Sequence, residues 1–357
     1  MFCGADTGKR MKHSGDRATM MSMTRRRFLG GLSALTLSAQ AREPLTPQRR
    51  EYVAPHMGTL WRLVFFEDDD ARARHARDTA WNRLIELNAR LSDYLDDSEL
   101  SRLSRDGRLV APSGDLRRVL TAARQLSEQT GGAFDVTVGP LVQLWRTARR
   151  EKRLPESATL AAARALVDWR AVEVTAEAAV FHTPGGRLDL GGIGKGFAQD
   201  EVLRRLREEH GIRAALIDAG GGVSVGDPPP GQDAWSASIA SPGDSPGSGN
   251  TLELRHQSLA TSGDARQFVE IDGIRYSHIV DPATGLGLTS AVQASVVAAD
   301  GATADALATA FCVLGESKTR AWLKEHPLAE ARIQSVTGDG LARTWESSGF
   351  SRLSRGS

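Results

Sequence analysis

Hydrophobic positions along the chain recur at two periods, and the segments they mark predict a series of elements. Alternation through Gly58-Thr59-Leu60-Trp61-Arg62-Leu63-Val64-Phe65-Phe66, closed by the acidic run Glu67 to Asp70, reads as a strand. From 71 to 91 the spacing becomes helical, with Trp81, Leu84, Ile85 and Leu91 as inward positions. A second helix opens at Ser113 to Asp115, turns Leu116, Val119, Leu120, Ala123 and Leu126 inward, and stops at Gly131-Gly132. Between them Ser98 is placed to cap a short helix, which leaves Tyr94 on the loop ahead of it, as a packing residue or a ligand contact. Ala133 to Leu141 reads as a turn and strand with Asp135 near its start. A helix over 157–168 and a hairpin of Val172-Glu173-Val174 with Ala179-Val180-Phe181 follow.

Further on, Ala214 to Ile217 and Val223 to Val225 flank Asp218-Ala219-Gly220-Gly221-Gly222, and Trp235 to Ile239 runs between two Pro/Gly/Ser-rich loops. Thr261-Ser262-Gly263-Asp264 precedes a strand through Phe268, Glu270 and Ile271, which turns at Asp272-Gly273. The return strand carries Tyr276 and His278. A strand from Ala294 to Ala298 leads to a helix opening near Ala302. The pattern predicts an α+β fold with mixed, mainly antiparallel sheets and packed helices. It forms one unit over 53–346, with a linker at 42–52 and a frayed tail at 347–357.

Charge changes the picture at one end. Of 45 Lys/Arg and 44 Asp/Glu, residues 1–41 hold seven and two, so the remainder carries 38 basic and 42 acidic groups, which argues against a nucleic-acid partner. Thr24-Arg25-Arg26-Arg27-Phe28-Leu29, a short apolar run and Ala39-Gln40-Ala41 read as a secretory signal over 1–41. Its paired arginines point to the twin-arginine type and a periplasmic or exported destination. The run is too short to span a bilayer. Cys3 lies in that segment, so the mature protein would hold only Cys312 and form no internal disulfide.

The chemistry concentrates in Arg187-Leu188-Asp189-Leu190-Gly191-Gly192-Ile193-Gly194-Lys195-Gly196-Phe197-Ala198-Gln199-Asp200, where an acid, four glycines and a lysine precede a helix. Such a turn frees backbone amides to meet an anion, or simply joins strand to helix. It is not a Walker A loop, because Gly196 rather than Ser or Thr follows Lys195, and the Rossmann spacing also fails. The helix over 302–314 turns Leu307, Ala310, Phe311 and Leu314 inward and carries Asp305 and Thr309 one turn apart among alanines. That pair either offers two hard oxygens to Mg²⁺ or Ca²⁺ or bonds to backbone inside a buried helix. His278, alone among polar residues, is a third participant or a structural histidine.

These segments together resemble the ApbE family of FAD:protein FMN transferases, from Met57-Gly58-Thr59 to the helix ending at Gly315. The matching pieces are Met57-Gly58-Thr59, the Leu91 to Leu103 stretch, Thr130 to Pro140, Asp189 to Gly196, Thr261-Ser262-Gly263-Asp264, Tyr276 to Gly285, and Ala304-Asp305-Ala306-Leu307-Ala308-Thr309. The resemblance implies that Met57, Tyr94, Ala133, Phe134, Asp135, Asp189, Lys195 and His278 hold FAD. It also implies that Asp305, Thr309 and the Gly192 carbonyl hold Mg²⁺. The implied activity transfers FMN from FAD to a threonine of an exported or membrane redox protein and releases AMP. FAD hydrolysis to FMN and AMP, and non-catalytic flavin binding, are the alternatives. His278 is the candidate general base, with Asp264 second. Two departures stand out: Gly194, where members often have Ala, and Asp218-Ala219-Gly220-Gly221-Gly222 in place of a GGN-like turn.

Overall fold

The computed structural model describes residues 47–239, 250–264, 267–336 and 341–354, and the signal expected over 1–41 lies outside them. In chain order the elements are β1 (Arg49–His56), β2 (Thr59–Phe66), α1 (Asp70–Leu91), α2 (Glu99–Asp106), β3 (Arg108–Val110), α3 (Gly114–Gln129), α4 (Gly139–Glu151) and α5 (Ser157–Arg164). Next come β4 (Val172–Val174), β5 (Ala178–Phe181), α6 (Gly194–His210), β6 (Ala215–Ala219), β7 (Gly222–Val225), β8 (Trp235–Ile239), β9 (Asn250–Leu254) and β10 (Ser258–Gly263). The last are β11 (Phe268–Ile271), β12 (Ile274–Ser277), β13 (Val292–Ala298), α7 (Gly301–Glu325), β14 (Ala329–Val336), β15 (Ala342–Glu346) and α8 (Ser348–Leu353).

Eight strands form one sheet in the order β1-β2-β6-β7-β10-β13-β14-β15, with every neighbouring pair antiparallel. Because side chains alternate across a strand, Trp61, Leu63 and Phe65 of β2 enter a large core shared with α1, α3, α6 and α7. Val64 enters a second core with the β8–β9 hairpin and Phe350. β13 is buried along its whole length because it carries α7 on one face and that second core on the other. A third, smaller core joins Leu141 and Trp145 of α4 to Val269, Ile271 and Tyr276 of the separate β11–β12 ribbon.

Register places the site. His56 pairs with Thr59, Trp61 with Ala219, Ala260 with Gly222 and Gly263 with Gln293. The Met57-Gly58 turn, the Gly220-Gly221 turn and the end of β10 therefore share one end of the sheet.

The α+β class holds, and several boundaries move. β1 begins at Arg49, inside the expected linker, because an edge strand with one packed face needs little hydrophobic sequence. Trp81 is only half-buried and Ile85 is exposed; α1 lies on Ala73, Ala76 and Ala80 as well as Leu84, Leu87 and Leu91. Residues 139–151, expected to begin as strand, are helical, with Pro140 in the first turn where a missing N–H does no harm. Thr261-Ser262-Gly263 is itself the end of β10, and His278 stands just past β12. The expected frayed tail forms α8, whose Phe350 is fully buried.

Candidate active site

The glycine stretch turns into α6 and lies directly against α7. Gly191 N–H donates to Asp189 Oδ1 at 2.7 Å and Gly194 N–H to the Leu190 carbonyl at 2.7 Å, which folds the loop on itself. α6 and α7 cross at Gly196 and Gly301. A Cβ on Gly196 would overlap the Gly301 carbonyl and stand 2.9 Å from Ala302 N, and a Cβ on Gly301 would stand 2.5 Å from the Gly196 carbonyl oxygen. Only glycine on both helices permits this approach.

At the crossing, Asp305 Oδ2 accepts from Gly196 N–H at 3.2 Å and lies 3.8 Å from Lys195 Nζ, which donates to the Gly191 carbonyl at 3.2 Å. Gly192 meets Thr309: a Cβ there would be 3.1 Å from Thr309 Oγ1 and 3.2 Å from the Phe134 ring. Thr309 Oγ1 is 3.1 Å from Ser262 Oγ. Gly192, Asp305 and Thr309 are thus brought together, with Lys195 beside them. The donors are hard oxygens. Among the described residues no group of three His, Cys, Asp or Glu could hold a metal, which disfavours a zinc-like site. One carboxylate and one hydroxyl beside a glycine loop fit a hard cation that shares its coordination with phosphate and water.

A second group surrounds Tyr94. Its ring is 72% exposed, and the Arg146 guanidinium lies 4.6 Å from the ring centroid. Arg146 bonds Asp93 at 3.0 Å and Asp189 at 3.4 Å, and Arg187 donates to the Asp93 carbonyl. Burial and the nearby Asp93 push the Asp189 carboxyl above its usual range, against the Gly191 amide and the two arginines. The exposed tyrosine face, backed by a cation, is a platform suited to a flat aromatic ring.

Ala133 and Phe134 sit on the turn after α3, where Phe134 N–H donates to Thr130 Oγ1 at 3.2 Å. Asp135 is committed locally: Oδ1 accepts from Thr137 N–H and Oγ1, both at 2.7 Å, and Oδ2 from Trp169 N–H at 3.1 Å. Its carboxylate shapes the Phe134 turn. Met57 adopts φ +44 in the tight β1–β2 turn with Gly58 at +75, and packs against the main core. A positive φ at a non-glycine residue marks a strained position.

His278 Nδ1 lies 3.0 Å from the Gln267 carbonyl, and Nε2 has no protein partner among the described residues. Burial lowers its pKa, helped by Arg149 and Lys195 and opposed by Gln267 and Asp264. Asp264 is buried and ion-paired to Arg275, which also donates to its carbonyl at 2.8 Å. Of the two base candidates, His278 therefore has the open nitrogen. Asp218 faces Arg62 across the β2–β6 pair at 3.6 Å, so that unexpected carboxylate has a partner within the sheet.

Sequence reasoning missed Arg146 and Asp93 as site residues. Arg146 was hidden because the strand reading stops at Leu141 and leaves 142–156 without an element. Its spacing from Trp145 and Leu141 within a helical run was the available signal.

A sequence profile described as the ApbE family matches residues 57–333. The chain is 32% identical over 305 residues to the FAD:protein FMN transferase of Salmonella typhimurium, covering 82% of this chain and 86% of that one. It is 31% identical to the FAD:protein FMN transferase of Vibrio cholerae, over 91% and 98% of the two chains. The solved flavin transferase ApbE from Vibrio cholerae superposes with a TM-score of 0.77 at 30% identity, covering 86% of this chain and 99% of that one. The apo flavinyl transferase ApbE of Pseudomonas stutzeri gives 0.76 at 26% identity, over 87% and 98%.

Proposed function

The chain belongs to the ApbE family, and from that membership we infer that it is an FAD:protein FMN transferase that works with Mg²⁺ and a client threonine. The observation that carries the metal half of this reading is the convergence of Asp305, Thr309, Gly192 and Lys195 where α6 crosses α7.

In the reaction the threonine Oγ attacks the FMN-side phosphorus of FAD, the bridging P–O bond breaks, and AMP leaves with the bridging oxygen. His278 Nε2 is placed to take the hydroxyl proton, because Nδ1 is anchored on the Gln267 carbonyl. Lys195 supplies positive potential where phosphate charge gathers. A cation held by Asp305, Thr309 and the Gly192 carbonyl would supply further neutralisation of the pyrophosphate. Tyr94 and Arg146 form the platform for the isoalloxazine ring, and Arg146 ties that platform to the glycine stretch through Asp189. Positioning and charge do most of the work in such transfers.

Incubation with FAD, Mg²⁺ and a client fragment containing an acceptor threonine tests the reading through AMP release and the client's mass. Flavinylated client with AMP supports transfer. AMP with an unchanged client means hydrolysis, and intact FAD means a carrier. The signal expected over 1–41 supports an activity outside the cytoplasm, on exported or membrane redox proteins. Cell fractionation after Arg25→Lys and Arg26→Lys checks this, and undiminished export would refute the twin-arginine route.

A further inference from the structure

α7 carries the two side chains assigned to the cation, so whatever ties its start to α6 sets them against the glycine loop. An α-helix leaves its first amides without internal partners. Here two carboxylates answer that need. Asp300, the residue before the helix, accepts from Thr303 N–H at 2.8 Å and Thr303 Oγ1 at 2.9 Å, which is an ordinary local cap. The second comes from another element. Asp200 of α6 accepts from Gly301 N–H through Oδ1 at 2.7 Å and from Ala302 N–H through Oδ2 at 3.0 Å.

Asp200 stands one turn beyond Gly196, so the amide that bonds Asp305 and the carboxylate that grips α7 share one face of α6. Between them lies the Gly196–Gly301 backbone contact. Three points thus join the two helices, and Asp200 makes the outermost. Burial pushes its carboxyl up to about 7, with Asp300 and Glu201 adding repulsion, and among the described residues no cation is paired with it. The two α7 amides are its hydrogen-bond partners.

We propose that Asp200 is a positioning residue of the cation site: by gripping the first two amides of α7 it holds Asp305 and Thr309 in register with the glycine loop on α6. The inference rests on the cation reading above and extends it to a residue that touches neither cation nor substrate. Removing the grip frees the start of α7 to slide along the glycine contact, which moves Asp305, one turn on, relative to Gly192.

The test titrates Mg²⁺ calorimetrically into the FAD-bound protein without client, for the parent, Asp200→Ala, Asp200→Asn, Asp300→Ala and Asp305→Ala. Outer partners of metal sites change affinity by about 10- to 100-fold. Asp200→Ala is expected to weaken Mg²⁺ binding by about 10-fold or more and Asp200→Asn by less, since the amide oxygen keeps one of the two bonds. AMP release by both should recover at saturating Mg²⁺. Asp300→Ala, which loosens the same helix end locally, should lower the melting temperature and leave Mg²⁺ affinity near that of the parent. Faster amide exchange at Gly301 and Ala302 in Asp200→Ala would accompany the affinity loss. Parent-like Mg²⁺ affinity in folded Asp200→Asn and Asp200→Ala overturns the inference while Asp305→Ala still abolishes binding. If Asp305→Ala also binds Mg²⁺ like the parent, the cation reading falls and takes this inference with it.

Discussion

Two glycines of the same loop make opposite predictions. Gly196→Ala would place a methyl group through the Gly301 carbonyl and 2.9 Å from Ala302 N, both backbone atoms that no rotamer change can move aside. The helices must separate. Overpacking of this kind costs up to about 3 kcal/mol, and weakening the 3.2 Å bond from Gly196 N–H to Asp305 adds roughly 1.5 kcal/mol. At about 2 °C per kcal/mol for a chain of this size, the melting temperature should fall by about 5–9 °C. Gly194→Ala is the contrast. Its Cβ would meet only Leu190 Cβ, at an ordinary 3.7 Å, in the first turn of α6, and alanine there gains up to about 1 kcal/mol. Thermal unfolding of both variants, with the Mg²⁺ concentration for half-maximal AMP release, decides the matter. The reasoning fails if Gly196→Ala melts with the parent, or if Gly194→Ala proves the more damaging.

Asp305→Ala should leave the fold intact and abolish AMP release; retained turnover would remove the cation from the chemistry. His278 has a folded pKa below its ordinary value of about 6.5, so its neutral form persists into mild acid. The acid limb of kcat/KM should therefore fall below pH ~6.5 and vanish in His278→Gln. The sign for stability is the same: the contribution is complete above about 6.5 and is lost as pH drops toward the folded value. Tyr94→Ala removes an exposed ring, so KM for FAD should rise by about 10-fold or more while the melting temperature stays put. An unchanged KM would take Tyr94 out of the flavin platform.

What the sequence revealed follows from where burial is one-sided. α3 carries clear periodicity because it has one wet face, and β2 and the β4–β5 hairpin were legible as short apolar runs bounded by polar turns. α7 was legible as a helix whose small residues admit a close neighbour. The face opposite Leu307 and Phe311 is packed too, with Ala304, Ala306 and Ala308 fully buried, so its alanines are there for close approach. β1 and α8 were lost for the reverse reason, since an edge strand and a six-residue helix anchored by Phe350 show little pattern. At the site, Asp305, Thr309 and the glycine loop could be named from residue type and spacing. Their partners could not: nothing local in Asp93, Arg146 or Arg187 shows that two guanidiniums 53 and 94 residues further on donate to the same aspartate.

The small core that unites α4 with the β11–β12 ribbon carries Tyr276, two residues before the imidazole, and Trp145, whose indole donates to the Gly285 carbonyl at 2.8 Å. The glycine stretch and α7, to which the proposed reading gives the pyrophosphate, pack in the main core instead. On that reading, holding the donor and admitting the acceptor are separate mechanical tasks. Repacking Val269, Ile271 or Leu141 could retune which hydroxyl is accepted while leaving the dinucleotide's seat undisturbed.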